Sequence, residues 1–353
     1  MPLRATHIAL VVTAILCAAG LGPLEPPSGP ITPSGKSITE LQPRTPINAA
    51  NTPAGTNSLY RITTPGSYYL TGNLQGASGK HGIEIVCSGV TLDLNGFELF
   101  GGSGSLDGIS LTATNQSNIA ITNGSIRGWG GSGIDMLASL VVNGRVSEVR
   151  AANNGASGIA VGTDCVLTHC QASNNLGNGF NTGAAATITE CSSYGNGING
   201  FNVNNAASVT RCSAYFNVAS GINALTGCTI ENNNCRINSG DGVKASASCV
   251  IRANTCTSNG FSTAIAAGIH VTGTDNLIEA NACSAADTGI DVDAGGNVIV
   301  KNHCTGNTAN WAIASGNAIG PIVTAGTTTS AVNGNGTAAS TLGTTDPFAN
   351  FNY

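Results

Sequence analysis

A four-residue phrase, glycine–apolar–any–apolar, recurs along most of this chain at a nearly constant interval. It reads GIEI from Gly82, GISL from Gly108, GIDM from Gly133, GIAV from Gly158, GFNT from Gly179 and GFNV from Gly200. The series continues with GINA from Gly221, GVKA from Gly242, GIHV from Gly268 and GIDV from Gly289, and NWAI takes the same slot from Asn310. Most intervals are 21 residues, and the others are 25 or 26. A period in the low twenties is the mark of a solenoid built from one supersecondary unit per repeat. The leucine-rich consensus of that period is absent, and coils so rich in Gly, Asn, Thr and Ser do not favour helices. Short alternating pieces such as GIDVD and NVIVKN read as strands of period two. At roughly 3.3 Å per strand residue, one coil holds three short strands and their turns. The expected fold is all-β, a right-handed parallel β-helix of about ten coils, and at ~4.8 Å per coil the rod is roughly 50 Å long.

Composition agrees with a folded rather than a disordered chain, because charged residues are only 9% while 41% are hydrophobic. The net charge of −5 and the lack of any basic run exclude a nucleic-acid partner. Residues 1–20 read as a secretory signal, with Arg4 ahead of the apolar stretch 8–19 and small residues at Ala18, Ala19 and Gly20. Leu16 before Cys17 fits a lipoprotein signal poorly. The expectation is therefore a secreted or cell-surface protein, with no membrane span in the mature chain. Residues 21–36 form a Pro-rich linker, 37–81 an N-terminal cap and entry strands, 82–318 the β-helix and 319–353 a C-terminal cap or tail. Trp311, Phe348, Phe351 and Tyr353 are expected to close the open end of the rod.

Cysteines recur with the coils at Cys170, Cys191, Cys212, Cys235, Cys256, Cys283 and Cys304. Upstream, Leu99, Ile126 and Val149 are aligned with the same slot, so all ten are read as one core column in which Cys is a small apolar filler. A line of thiols does not converge as zinc requires. Rungs ~4.8 Å apart also hold Cβ atoms wider than the roughly 3.5–4.5 Å of a disulfide. Cys228 and Cys249, in a second matching slot, are the best disulfide candidates. Asn233, Asn254, Asn281 and Asn302 form a further column, expected to satisfy turn amides at the bend before the cysteines.

The entry segment PGSYYLTGNLQG…HGIEIVCSGVTLDLNGFELFGG, within residues 65–102, resembles the first coils of pectate-lyase-like β-helix proteins. The coils after it and the ending TTDPFANFNY resemble secreted bacterial members without an assigned activity, and the resemblance covers residues 40–353. It implies the fold and a polysaccharide or surface-glycan partner, while folds of this kind host many functions. The polygalacturonase-like set of Asn-Thr-Asp, Asp-Asp, Gly-His-Gly and Arg-Ile-Lys is missing, as is the Tyr-Gly-x-Asp-Pro-His phrase of alginate epimerases.

In the repeated phrase the two apolar residues point inward, so the residue between them points outward. Coil by coil this outward column reads Glu84, Ser110, Asp135, Ala160, Asn181, Asn202, Asn223, Lys244, His270 and Asp291. Asn181, Asn202 and Asn223, with Tyr194 and Tyr215, are candidate carbohydrate contacts, the tyrosines being weighed also as corner packing. Lys244, His270 and Asp291 are candidates for uronate β-elimination, with His270 as base, Asp291 orienting it and Lys244 opposing the sugar carboxylate. Asp287, Asp291 and Asp293 offer hard oxygen ligands, and Ca²⁺ is the only cofactor they suggest. The competing reading is a solvated strip that keeps the sheet soluble. Three functions follow: carbohydrate binding without strong catalysis, a polysaccharide lyase, or a structural and adhesive rod. Nothing in the sequence sets the oligomeric state.

Overall fold

Each 21-residue coil folds as three strands joined by tight turns. One coil shows the pattern: Phe180–Thr182, then Thr187–Thr189, then Ser192–Tyr194, followed by the next phrase at Phe201–Val203. Equivalent strands of successive coils pair in parallel, which gives the rod three long faces. The strands of the repeated phrase form the first face, a sheet of 12 strands from Ser58–Ile62 to Ala309–Ile313. The other two faces join at a sharp bend and merge where Ile119–Arg127 and Arg145–Ala152 run through it. The computed structural model describes residues 44–137, 141–260, 266–328, 331–332 and 339–353. The signal segment 1–20, the linker 21–36 and residues 37–43 of the expected cap lie outside these.

The rod has about 13 turns rather than ten. Part of the excess comes from the region read as an N-terminal cap and entry strands. Thr45–Pro46, Ser58–Ile62, Gly66–Tyr69 and Leu74–Gln75 already pair in parallel with the coils that follow. Those turns lack the repeated glycine, so counting phrases misses them. At the other end Ile322–Thr324 and Asn350–Asn352 continue the third face. The four terminal aromatics do not converge on a plug. Trp311 lies over Ile290 on the first face, Phe351 stacks on His303 at 5.4 Å, Lys301 lies over the Phe348 ring, and Tyr353 is exposed.

The cysteines occupy two columns, not one. Cys235, Cys256, Cys283 and Cys304 stack in register on the third face, and Ala214, Ser193, Ala172, Ala151, Ile126 and Leu99 continue that column upstream. Cys170, Cys191 and Cys212, with Val149 one coil before, belong to the bend two residues earlier. There the column continues as Asn233, Asn254, Asn281, Asn302 and Asn350. The step from Cys212 to Cys235 is 23 residues, and those two extra residues are the offset between columns.

At the bend the cysteines are more than filler. The Asn254 side-chain oxygen accepts from the Asn233 backbone N–H at 3.0 Å, and the Asn233 amide donates to Val209 O at 2.9 Å. The same roles pass to sulfur one stretch earlier: Cys170 N–H donates to Cys191 Sγ at 3.5 Å, and the Cys170 thiol donates to Thr168 O at 3.3 Å. Cys212 joins the two kinds, its N–H donating to Asn233 Oδ1 at 2.9 Å. Cys228 and Cys249 repeat the arrangement at another turn, with Cys228 N–H donating to Cys249 Sγ at 3.3 Å and Cys249 N–H to Asn276 Oδ1 at 2.8 Å. All eleven described cysteines are free thiols, so the candidate disulfide is not formed. Burial pushes the Cys165 thiol up and keeps it protonated.

A further ladder, Asn154, Asn175, Asn196, Asn217, Asn238 and Asn259, fills the turn leading into the repeated phrase. Its members lie 21 residues apart, are almost fully buried, and bond side chain to side chain at 2.9–3.0 Å. This ladder explains the phrase's glycine. A Cβ on Gly221 would stand 2.8 Å from Asn238 Nδ2 and 2.7 Å from Gly242 O, so only glycine lets the strand enter beneath the amide.

Two outcomes test these assignments. Alkylation of the denatured, unreduced protein is expected to modify all eleven described cysteines; recovery of fewer than after reduction would show a disulfide. Cys212→Asn should extend the amide ladder and stay within about 1 kcal/mol of the parent, while Cys235→Asn buries an unsatisfied amide and should lose roughly 1–3 kcal/mol. Equal losses in denaturant unfolding would mean that the two cysteines share an environment after all.

Candidate functional site

The outward residues of the first face do form one column. Asn181 pairs in register with Asn202, Asn202 with Asn223, Asn223 with Lys244, Lys244 with His270, and His270 with Asp291. Inward neighbours such as Ile222, Val243, Ile269 and Ile290 are fully buried, which fixes the register, since a one-residue slip would exchange the two faces. At the start of the column Glu84 is already committed, bonded to Ser58 and Thr112 and paired with Arg61 at 3.1 Å.

The three asparagines form a partly exposed ladder of their own. Asn202 donates to Asn181 Oδ1 at 2.9 Å and Asn223 to Asn202 Oδ1 at 2.8 Å. Each bond uses one hydrogen of an Nδ2 group that carries two. Beside them lies a shallow groove of about 170 Å³ lined by Leu137, Asn181, Thr182, Asn202, Val203, Asn204 and Leu225. The buried Thr182 hydroxyl in that lining has no hydrogen-bond partner among the described residues. A larger cavity of about 400 Å³ lies at the first turns, between Ile47, Leu59, Leu70 and their neighbours, and no Asp, Glu, His, Lys or Cys lines it.

His270 is the electrostatic centre of the column. Its Nδ1 faces Asp241 Oδ2 at 3.2 Å and its Nε2 faces Asp293 Oδ2 at 3.0 Å. Asp241 is buried and held from behind by the Ala267 N–H at 2.8 Å. The hydrogen bond to Asp241, joined by that to Asp293, outweighs desolvation and pushes the His270 pKa up to about 9. Burial raises the Asp291 carboxyl above its usual range, and the neighbouring His270 charge offsets only part of this.

Three expectations change here. Asp291 does not orient His270; Asp241 and Asp293 hold its two nitrogens. His270 is an imidazolium near neutral pH, so it is a cation rather than a base. Asp287 turns back to bond the Ala266 N–H at 3.2 Å, and the group whose ligand atoms come within 4.8 Å of one another is His270, Asp291 and Asp293. That group offers two carboxylates and one imidazole nitrogen, so it has fewer hard oxygen ligands than the three aspartates of the sequence reading. Lys244 sits on the adjoining rung and forms no ion pair among the described residues.

Tyr194 and Tyr215 stand on the third face, not beside the asparagines. Their rings stack at 5.5 Å with Phe216 alongside, and all three are exposed. Because the rings cover each other's faces along the rod axis, they offer mainly edges to a sugar, and corner packing does not bury them. The period-21 asparagines at 154–259 and the pairing of Asp241 with His270 are what a sequence reading passes over. The first were visible as spacing, and the second only through the fold.

No family model matches the chain, and no curated protein matches it in sequence. Among solved structures it is similar to the A-module of the mannuronan C-5 epimerase AlgE4 of Azotobacter vinelandii, at 17% identity and a TM-score of 0.56, over 69% of this chain and 88% of that one. It is also similar to the Dettilon tailspike protein, at 16% identity and a TM-score of 0.58, over 70% of this chain and 58% of the tailspike. These likenesses show the fold, a right-handed parallel β-helix.

A raised pKa in the folded state makes the His270 charge stabilising at low pH and lost at high pH. Its contribution is full below about pH 6.5, the unfolded value, and disappears as pH rises through about 9. The expected difference in unfolding free energy between the parent and His270→Gln, on the order of 1–3 kcal/mol, shrinks across that window. An imidazole NMR titration with a midpoint near 6.5 would contradict the geometry.

Proposed function

We propose that this protein binds polysaccharide along its first face and works outside the cytoplasm. The observation that carries the reading is the unbroken polar column from Asn181 to Asp291, six rungs on one straight sheet. At ~4.8 Å per rung it extends for roughly 24 Å, the length of several sugar units rather than a single one. Amides, an ammonium, an imidazolium and carboxylates along such a line bind hydroxyl and carboxylate groups of an extended chain. The groove beside Asn181 and Asn202 adds apolar walls and the unpartnered Thr182 hydroxyl. Among similar folds, one is named for acting on mannuronan, which supports a glycan partner without fixing which glycan. The N-terminal signal-like segment supports export.

Binding without turnover suits His270 as found, since a protonated imidazole cannot take up the proton that β-elimination removes. Calorimetric titration of the purified chain with a panel of neutral and acidic polysaccharides is expected to find a ligand. Lys244→Ala and Asn202→Ala should each weaken it roughly 5–50-fold, corresponding to about 1–2 kcal/mol. Binding unchanged in both variants, or no binding across the panel, would remove this reading. New ultraviolet absorbance with a uronate polymer, rising toward pH 9 and lost in His270→Ala, would replace it with a lyase.

A further inference from the structure

The inward residues of the first face are apolar on either side of one exception. Val161 and Val203 fill the last slot of the repeated phrase on neighbouring coils, and both are buried. Between them stands Thr182, in register with Val161 and only 4% exposed. Among the described residues it carries the one buried side-chain hydroxyl without a hydrogen-bond partner. A valine would fill the slot as its neighbours do and leave no bond unmade. The hydroxyl therefore destabilises the coil in the free protein. A cost with no structural return points to a ligand.

Thr182 lines the groove of about 170 Å³ beside the asparagine ladder. Pockets for drug-sized ligands run to roughly 300–1,000 Å³, so this one takes a single side group of a larger molecule. Leu137, Val203 and Leu225 give it apolar walls. Its polar lining has donors to spare. Asn181 Oδ1 and Asn202 Oδ1 already accept ladder bonds at 2.9 and 2.8 Å. The Asn181 amide donates to nothing among the described residues, and Asn202 keeps one of its two amide hydrogens. No Lys, Arg or His lines the groove.

We propose that this groove is the subsite for an acetyl group carried by the polysaccharide, an inference that rests on the glycan-binding reading above. An acetyl group is neutral and combines an acceptor oxygen with a methyl. Its carbonyl takes the unused hydrogens of Asn181, Asn202 and Thr182, while its methyl meets Leu137, Val203 and Leu225. A hydroxymethyl group leaves those apolar walls unused. A carboxylate finds no cation until Lys244, two rungs beyond Asn202. Acetyl groups on sugar nitrogen and on sugar oxygen share this chemistry.

Calorimetric titration of the full chain with matched ligands tests the assignment. One pair is β-1,4-linked N-acetylglucosamine oligosaccharides against cello-oligosaccharides of equal length. The other is an O-acetylated uronate polymer against its saponified form. The acetylated member of at least one pair is expected to bind roughly 10–100-fold tighter, and the pair that responds identifies the amide or the ester. Thr182→Val should cut that preference about 10-fold while the melting temperature stays the same or rises. Lys244→Ala should weaken both members alike and keep the preference. Equal binding within both pairs would overturn the acetyl subsite and leave polysaccharide binding standing, as would a preference that Thr182→Val retains in full. No binding of any member would remove both.

Discussion

Everything in this rod depends on how its bends are closed. At the bend between the second and third faces, His169, Glu190, Arg211, Asn232, Ala253, Ala280 and Lys301 all take left-handed backbone angles, with φ between 53° and 60°. For residues other than glycine this costs of the order of 1–2 kcal/mol each. The cost recurs at every coil, so the compensation must recur too. It comes from the next residue inward, whose side chain accepts a backbone N–H from the coil before and donates to a carbonyl. Asparagine does this best, because its amide offers an acceptor and two donors. The thiol of cysteine provides a weaker version in a smaller volume. The change from Cys212 to Asn233 is therefore a change of donor strength within one design.

Seen this way, three of the asparagine ladders divide the work. The ladders at 233–350 and 154–259 are buried and hold the coils in register. The ladder at 181–223 is half exposed and uses only part of its hydrogen-bonding capacity. The same side chain thus serves structure at the corners and presents polar groups on a flat face. Burial separates the two roles, since an unmade bond is costly in the interior and freely replaced by water or ligand outside.

Much of the architecture was legible because a solenoid writes its period into the chain. The spacing of Gly179, Gly200, Gly221 and Gly242 places the first face, and from Asn181 to Asp291 the residues between its apolar positions are partly exposed as expected, whereas Glu84, Ser110 and Ala160 earlier in the column are buried. The cysteines misled for a physical reason. Two columns two residues apart, both buried and both tolerant of a small side chain, look like one column when only residue type is aligned. The turns before Gly82 were hidden because strands such as SLYRI enter without the ladder that makes glycine obligatory. In the polar column, position was legible and protonation was not. Asp241 lies 29 residues before His270, and only the crossing of a coil turn brings them within 3.2 Å.

That pairing decides the chemistry of the face. An isolated histidine beside one aspartate on an open sheet would titrate near neutrality and could serve as a base. Here the second carboxylate, reaching from Asp293 to the other ring nitrogen, leaves neither nitrogen with a free lone pair or an uncommitted proton. The buried Asp241 cannot turn away, because the Ala267 N–H holds it at 2.8 Å. The rung is thus a fixed cation flanked by acids, next to the ammonium of Lys244 and beyond it the amide ladder. Charge therefore varies along the face while its spacing stays constant. Such a surface discriminates among extended polymers by where their charges fall along the chain, because the sheet below cannot adjust its register to suit them.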